Sequence, residues 1–558
     1  MNKIFDYWLK HKNVSDEMKN EMLNVMTKED IKKSFSEEKI KFGTAGYRAF
    51  MGPGNLYLNE FTYQQLTIAY AKYLQEVNKD KKQLNVLIAF DNRKNGSFFG
   101  QVIAKTLTSM GIKALFFKRE TPIPTPLVSY AVRKLKLDGA IIITASHNPK
   151  RYNGFKVYNA SGGQLLPNEI SILSKFIPNW KKNLDFNLTL NKKLISYIPD
   201  SLIEDYFDDI KSKVNLNSFK KNNKVLITTH HGALSDKIFF DFIKKFGYTL
   251  YLNESQCFYD EDFINSLNIN PEDAQSFLPS IEIANQVGAE IILGFDPDGD
   301  RLGIAIKHNG KWTCLSGNEM AIIATYYLLN YNQKNENKIP LIISTYVSNN
   351  LIDNIVNQWN GIVLRTATGF KNLASLMDEA IDSQNHFNLS FEEAIGMCIS
   401  DAIREKDGLA SAILMLEIYS FYKNKGMSLI DLLNKKIYLA FGNWYGQTIS
   451  IKIETDDIAK FSNELITKIS TTRLTKIDRF KIKEIVWNHH GNCLEFLMDD
   501  NHSWIKFRGS GTEPKFKIYY NLYFDKNNGY NEYEIKAEQK QKIVKSINEY
   551  LVKLFGIR

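Results

Sequence analysis

Four short apolar runs, each ending abruptly in small and polar residues, constrain this chain more than any other feature. Asn85-Val-Leu-Ile-Ala-Phe90 runs into Asp91-Asn-Arg93, and Gly139-Ala-Ile-Ile-Ile-Thr144 into Ala145-Ser-His-Asn-Pro149. Lys224-Val-Leu-Ile-Thr-Thr229 meets His230-His-Gly232, and Glu290-Ile-Ile-Leu-Gly-Phe295 meets Asp296-Pro-Asp-Gly-Asp300. Such runs, rich in Ile and Val, read as strands buried on both faces. Amphipathic stretches lie between them, for example Phe61 to Gln75 and Asn318 to Asn330. Alternating strands and helices imply parallel sheets, so α/β architecture is expected to repeat along the chain.

The pattern changes after about residue 440. Gln447-Thr-Ile-Ser-Ile-Lys-Ile453 and Lys515-Phe-Lys-Ile-Tyr-Tyr-Asn-Leu-Tyr523 alternate with period two, as half-exposed antiparallel strands do. An amphipathic helix from about Glu532 to Phe555 would cover their apolar face, giving a separate α+β domain. At about 150 residues per domain, 558 residues make three to four domains. The expected divisions are 1–205, 206–317, 318–440 and 441–558. Lys- and Asn-rich stretches, Lys220 to Lys224 and Asn332 to Lys338, read as solvated loops, and the segment before Lys41 carries no assignable motif.

Composition narrows the class. With 44% hydrophobic, 24% charged and 13% aromatic residues, the chain is neither disordered nor collagen-like nor a coiled coil. A net charge of +9, spread over 71 basic and 62 acidic residues, permits attraction to small anions. Basic and acidic residues are interleaved throughout, so the concentrated basic face of a nucleic-acid binder is not expected. Cys257, Cys314, Cys398 and Cys493 form no CxxC pair, which points to reduced thiols without zinc or a disulfide framework. No signal-peptide core and no apolar run of about 18 residues is evident, so a cytoplasmic protein is expected.

Three loops carry chemistry. In Thr144-Ala-Ser-His-Asn-Pro149, followed by Tyr152-Asn-Gly-Phe-Lys156, a serine sits just past a buried strand, at the sheet edge where α/β proteins bind ligands. Pro149 and Gly154 would shape a rigid loop, and His147 and Lys156 supply a possible proton donor and a cation. Taken alone, Ser-His-Asn-Pro also fits an ordinary turn, and no Gly-x-Ser-x-Gly elbow surrounds it. In Asp296-Pro-Asp-Gly-Asp-Arg301, three carboxylates at i, i+2 and i+4 can converge on a hard cation such as Mg²⁺. An EF-hand is excluded, because Lys307 stands where its bidentate Glu belongs. In Arg508-Gly-Ser-Gly-Thr-Glu-Pro-Lys515, two glycines flanked by Ser and Thr can form a backbone nest for phosphate, with Arg508 as a bidentate fork. It is not a Walker A loop, and a plain hairpin connection fits it equally well. Together the loops describe a phosphoryl-transfer site with a second, separate phosphate cradle.

With these residues in place, the sequence resembles the α-D-phosphohexomutase superfamily of phosphoglucomutases and phosphomannomutases. The resemblance runs from about Lys41 to Tyr520 through seven motifs in order. These are Phe42-Gly-Thr-Ala-Gly-Tyr-Arg48, the Ser146 loop, the Asp296 loop, Thr368-Gly-Phe-Lys371, Phe391-Glu-Glu-Ala-Ile-Gly396, Lys406-Asp-Gly408 and the Arg508 loop. It implies three α/β domains followed by a smaller α+β domain around a central cleft. Ser316-Gly-Asn-Glu319 and the Glu-Glu-Ala-Ile-Gly form look most like the branch active on glucose and pentose phosphates.

The resemblance also implies roles. Ser146 would be the phosphorylated nucleophile, holding one Mg²⁺ together with Asp296, Asp298 and Asp300. His147 and Lys156 are candidates for proton transfer, and Arg48 would neutralise transferring charge. Arg301 would offset the acidic cluster and is counted with the substrate-binding residues. Thr368, Gly369, Lys371, Glu392, Glu393 and Lys406 would meet the sugar, and Arg508, Ser510, Gly511 and Thr512 the non-reacting phosphate. The partners implied are a sugar phosphate and a sugar bisphosphate, with no nucleic acid or membrane, in a monomer or weak homo-oligomer. Many members place Ser two residues after the sugar-loop Glu; here Ala394 stands there, which bears on sugar selectivity. A phosphatase, a phosphopentomutase and a silent sugar-phosphate sensor are the competing readings. His230 and His231 are expected to be solvated or to pack within their loop.

Overall fold

The computed structural model describes residues 2–43, 46–215, 223–266, 268–331, 338–382, 384–453, 458–509, 515–524 and 537–557. They form two compact units: residues up to Ser212 with Lys224–Leu302 and Ala402–Leu409, and Lys213–Asn223 with Gly303–Asp401 and Ala410–Arg558.

The first unit holds a six-stranded sheet whose neighbours run Tyr47–Phe50, Tyr152–Tyr158, Gly139–Ile143, Asn85–Phe90, Lys113–Phe117 and Ile195–Ile198. Helices Glu60–Val77, Gly96–Ser109 and Thr125–Lys134 accompany it. Gly139–Ile143 is buried at every position, which is why it reads as one unbroken apolar run. The sheet is not wholly parallel, as strand–helix alternation alone suggests. Four strands are parallel, but Tyr152–Tyr158 runs antiparallel to Gly139–Ile143, and Tyr47–Phe50 antiparallel to Tyr152–Tyr158. The reason is local. The Ser146 loop is too short for the helical crossover a parallel pair requires.

A smaller parallel set, Thr249–Leu252, Lys224–Thr228 and Ile291–Phe295, carries the Asp296 loop at its edge. Lys224 thus begins a strand and Asn223 is buried, so the solvated stretch expected there stops earlier; residues 220–222 lie outside the described residues.

The segment before Lys41 folds onto this unit. Helices Lys3–Lys10, Asp16–Asn24 and Lys28–Ser34 are capped by Asn2, Ser15 and Thr27, whose side-chain oxygens accept from first-turn N–H groups. Ile4, Trp8, Met22 and Phe35 bury themselves against Phe61, Trp180 and Leu184. Asp30 accepts hydrogen bonds from the Tyr57 hydroxyl at 2.9 Å and from the Arg151 guanidinium.

In the second unit, Ile362–Thr366, Ile339–Thr345 and Asn385–Glu392 are parallel, with Gly396–Cys398 added antiparallel to the last. Hairpin Leu302–His308 with Lys311–Leu315 precedes them. The C-terminal part is an antiparallel sheet, Trp444–Lys452, Lys515–Tyr523, Trp504–Gly509, Cys493–Met498 and Phe480–Asn488. Helices Ile458–Ser470 and Ala537–Phe555 pack Leu465, Ile469, Val544, Ile547 and Leu551 on its apolar face, the α+β domain read from period-two alternation. The expected helix start at Glu532 lies outside the described residues, as do 332–337 of the Asn332–Lys338 stretch. All four cysteines are free thiols, and no helix among the described residues is long and apolar enough to cross a membrane.

Candidate active site

Strand Gly139–Ile143 delivers Ser146 to the sheet edge in a left-handed conformation, φ 51°. A non-glycine residue adopts that region only when its surroundings hold it. The Ser146 N–H donates to Thr144 Oγ1 at 2.8 Å. Gly154 on the return strand donates no side chain: a Cβ there would lie 2.1 Å from the Thr144 carbonyl oxygen. With 2% exposure, Ser146 is buried, and its hydroxyl donates to Asp296 Oδ2 at 2.9 Å. His147 Nδ1 lies 3.3 Å from Ser146 Oγ. Arg48, on Tyr47–Phe50, donates to Asn148 Oδ1 at 2.9 Å.

Asp296, Asp298 and Asp300 are all buried, and each offers an oxygen within 4.8 Å of the others. Burial, and then the charges of Asp298 and Asp300, push the Asp296 carboxyl well above its ordinary range. Burial also opposes charge at Asp298, but the Lys156 ammonium overrides it and holds that carboxyl low. Lys156 Nζ donates to Asp298 Oδ2 at 2.7 Å and lies 3.6 Å from Asp300 Oδ2. The Arg301 N–H donates to Asp296 Oδ1 at 3.0 Å, and its Nε lies 3.9 Å from Asp300 Oδ1. Asp298 Oδ1 and Asp300 Oδ1 are buried without a hydrogen-bond partner. An all-oxygen donor set with such atoms to satisfy fits a hard divalent cation.

Lys406 stands here too. Its Nζ is 3.2 Å from Asp300 Oδ2 and 3.3 Å from Glu405 Oε1, so in this structure it meets the acidic cluster. Glu405 and Thr125 belong to this neighbourhood although the motifs do not mark them. Glu405 is buried and accepts from the Tyr158 hydroxyl at 2.8 Å and Gln164 at 2.6 Å. The Thr125 hydroxyl is 3.3 Å from Asp298 Oδ2. A Thr after Pro124 and a Glu before Lys406 give no periodic or compositional signal; only the fold brings them in. His230 and His231 are buried loop-packing residues, not solvated ones, with Nδ1 atoms 2.8 Å from Phe295 O and 3.1 Å from Phe258 O.

The sugar-loop candidates gather in the second unit. Gly369, at φ 106°, donates its N–H to Glu392 Oε1 at 2.8 Å. Thr368 precedes it, and Lys371 is buried in the first turn of helix Phe370–Ala380. Glu393 Oε2 accepts from the Thr345 hydroxyl at 3.2 Å. Gly317 lets this loop approach closely, since a Cβ there would lie 2.2 Å from the Glu393 carbonyl oxygen. Arg508 lies on Trp504–Gly509, opposite Lys517. Ser510, Gly511 and Thr512 lie outside the described residues.

Comparison with known proteins gives this arrangement a class. Family models described as phosphoglucomutase/phosphomannomutase, alpha/beta/alpha domains I, II and III, match residues 39–183, 204–310 and 316–438. The chain is 37% identical to a phosphomannomutase of Mycoplasmoides pirum, over 94% of this chain and 95% of that one. It is 32% identical to a phosphoglucomutase of Staphylococcus epidermidis, over 91% and 97% respectively. Among solved structures, phosphoglucomutase parafusin from Paramecium shares the fold at TM-score 0.67 and 19% identity, covering 94% of this chain and 96% of that one. The class is that of sugar-phosphate mutases, which are isomerases acting by phosphoryl transfer. The chain belongs to the phosphoglucomutase/phosphomannomutase family.

Proposed function

We propose that this mutase interconverts hexose 1-phosphates and 6-phosphates, glucose and mannose among them, through a phosphoserine at Ser146 and a sugar bisphosphate. The observation that carries this is the buried Ser146 hydroxyl, hydrogen-bonded to one of three clustered aspartates. The phosphoryl group leaves Ser146 Oγ for a sugar hydroxyl, whose proton passes to Ser146 Oγ, giving the bisphosphate and a free serine hydroxyl. That intermediate reorients, and its other phosphate returns to Ser146, regenerating phosphoserine and freeing the isomerised monophosphate.

His147, 3.3 Å from Ser146 Oγ, is the proton carrier this geometry favours. Lys156 is engaged with Asp298 and holds a positive charge at the transfer point. Arg48 acts on charge developing in the transferring group, as do Arg301 and Lys406. Asp296, Asp298 and Asp300 would hold Mg²⁺, which when bound acts as a Lewis acid on phosphoryl oxygens. Thr368, Gly369, Lys371, Glu392 and Glu393 bind the sugar, and Arg508 with Ser510, Gly511 and Thr512 the non-reacting phosphate. Divisions near 205, 317 and 440 are proposed to separate these functional loops.

Relatives named for mannose and glucose phosphates favour a hexose over a pentose substrate. The test offers glucose, mannose, N-acetylglucosamine and ribose 1-phosphates in parallel, with Mg²⁺ and a bisphosphate activator. Isomerised hexose phosphate, with phosphate on the Ser146 peptide by mass spectrometry, is expected. Free inorganic phosphate without isomerised product would identify a phosphatase instead.

A further inference from the structure

Arg93 belongs to none of the roles above, yet its side chain is tied to the Ser146 loop at both ends. It lies just past the strand Asn85–Phe90 and is 2% exposed. Nη2 donates to the carbonyl oxygens of Ser146 at 2.6 Å and Asn148 at 2.5 Å. Nη1 donates to those of Pro149 at 3.1 Å and Tyr152 at 2.8 Å. On the opposite edge Nε sits 3.3 Å from Asp91 Oδ2, and the Arg93 N–H donates to Asp91 Oδ1 at 2.9 Å. Phe263 covers the guanidinium, with its ring centroid 5.4 Å from Cζ.

One planar group therefore gathers four carbonyls of a seven-residue loop while a buried carboxylate fixes its rear edge. Such a fork needs a guanidinium. A Lys ammonium, a point charge with three donors, cannot reach both pairs of carbonyls at once. The Ser146 backbone is the part of the loop that most needs holding. It occupies a left-handed conformation that an L side chain disfavours by roughly 1–2 kcal/mol, and its carbonyl is one of the four.

We infer that Arg93 is a positioning residue for phosphoryl transfer. By fixing the Ser146 carbonyl it fixes the direction of Oγ, and Asp91 orients Arg93 in turn. The inference rests on Ser146 being the phosphorylated group. The side-chain hydrogen bonds of Arg93 go to backbone carbonyls and not to Ser146 Oγ, so its removal should lower kcat and leave KM nearly as it was. A misdirected Ser146 phosphate should also lose more of its turnovers to water.

The test uses full-length R93K and D91N, phosphorylated with glucose 1,6-bisphosphate and assayed with glucose 1-phosphate. For R93K a fall in kcat of between about tenfold and a hundredfold is expected, the scale of a misplacement near 1 Å. KM should stay within about twofold, and the share of phosphoenzyme hydrolysed should rise. D91N keeps the guanidinium and loosens its anchor, so it should show the same split with a smaller fall. R93K with kcat within about twofold of wild type would overturn the inference. If R93K does not yield folded protein by circular dichroism, D91N decides: lowered kcat at constant KM supports positioning, and unchanged kcat refutes it. Wild-type protein separates the two readings. Absence of phosphate on its Ser146 peptide would defeat the mutase mechanism itself, whereas a phosphorylated wild type beside a fully active R93K defeats only the role of Arg93.

Discussion

The Ser146 hydroxyl donates to Asp296 Oδ2 at 2.9 Å across 150 residues of chain, joining two loops that end two different sheets. A serine beside three buried, clustered carboxylates is suited to exchanging a phosphoryl group with a cation's help. Replacing Ser146 with Ala removes the proposed carrier. Mutase turnover should fall by at least roughly a thousandfold, the scale of deleting a nucleophile. A well-folded variant with near-normal turnover would contradict covalent catalysis at this residue.

Asp298→Asn should weaken divalent-cation binding, because it removes one of the three carboxylates proposed to hold the cation and leaves Lys156 without its closest carboxylate. Loss of partners outside the ligand set already costs about 10–100-fold in metal proteins, so at least about tenfold more Mg²⁺ should be needed for half-maximal activity. Titration calorimetry with Mg²⁺ measures this directly. EDTA should silence the wild type and Mg²⁺ restore it; activity undiminished in chelator would remove the metal from the mechanism.

Arg508→Ala should act mainly on KM. A hydrogen bond to a charged group is worth about 1.5–3 kcal/mol, so KM for glucose 1-phosphate should rise by roughly tenfold or more. Steady-state kinetics decide it, and a variant matching wild type in both KM and kcat would rule out phosphate binding by this side chain.

Ala394 sits half-buried between buried Glu393 and Ile395, the latter at φ 52°, and has no hydroxyl to offer a sugar. A site that does not bond a given hydroxyl discriminates weakly against analogues altered there. The wild type should therefore use glucose 1-phosphate and also accept mannose or pentose 1-phosphate. Ala394→Ser should sharpen the ratio of kcat/KM among hexose phosphates by about one hydrogen bond, 0.5–1.5 kcal/mol. Strict selectivity in the wild type, unmoved by the substitution, would place control elsewhere.

Asp30 ties the N-terminal helices to Arg151. Burial alone would raise its carboxyl, but hydrogen bonds from Thr27, Tyr57 and Arg151 lower it from 3.8 to about 2. A depressed folded-state value means stability present above 3.8 and lost as pH falls through 3.8 toward about 2. Because Arg151 is half exposed, the contribution is on the order of 1 kcal/mol. Urea unfolding of wild type and Asp30→Asn should differ by that amount at pH 6, by roughly half of it near pH 3, and converge only below about pH 2. A difference that is constant with pH would mean the charge of Asp30 is not what matters.

The strands around Ser146 and Asp296 are legible in the sequence because full burial writes them as unbroken Ile- and Val-rich runs. The Asp triad is legible because three acids at alternate positions need a cation. Arg93 is not, since its value lies in carbonyls between Ser146 and Tyr152, contacts that leave no mark on side-chain identity. Glu405 is hidden for a related reason: its partners Tyr158 and Gln164 stand 247 and 241 residues away. The helices before Lys41 show how far packing exceeds motif. They carry no functional pattern, yet Trp8 and Phe35 share a core with Phe61.

Gly154 sets a boundary for anyone re-engineering this enzyme toward new sugars. Its missing side chain is what allows two strands to close behind Ser146, and even Ala would drive an atom to 2.1 Å from a carbonyl oxygen. Libraries that randomise the Ser146 loop should keep position 154 fixed and place their diversity at Ala394, where the backbone makes no such demand.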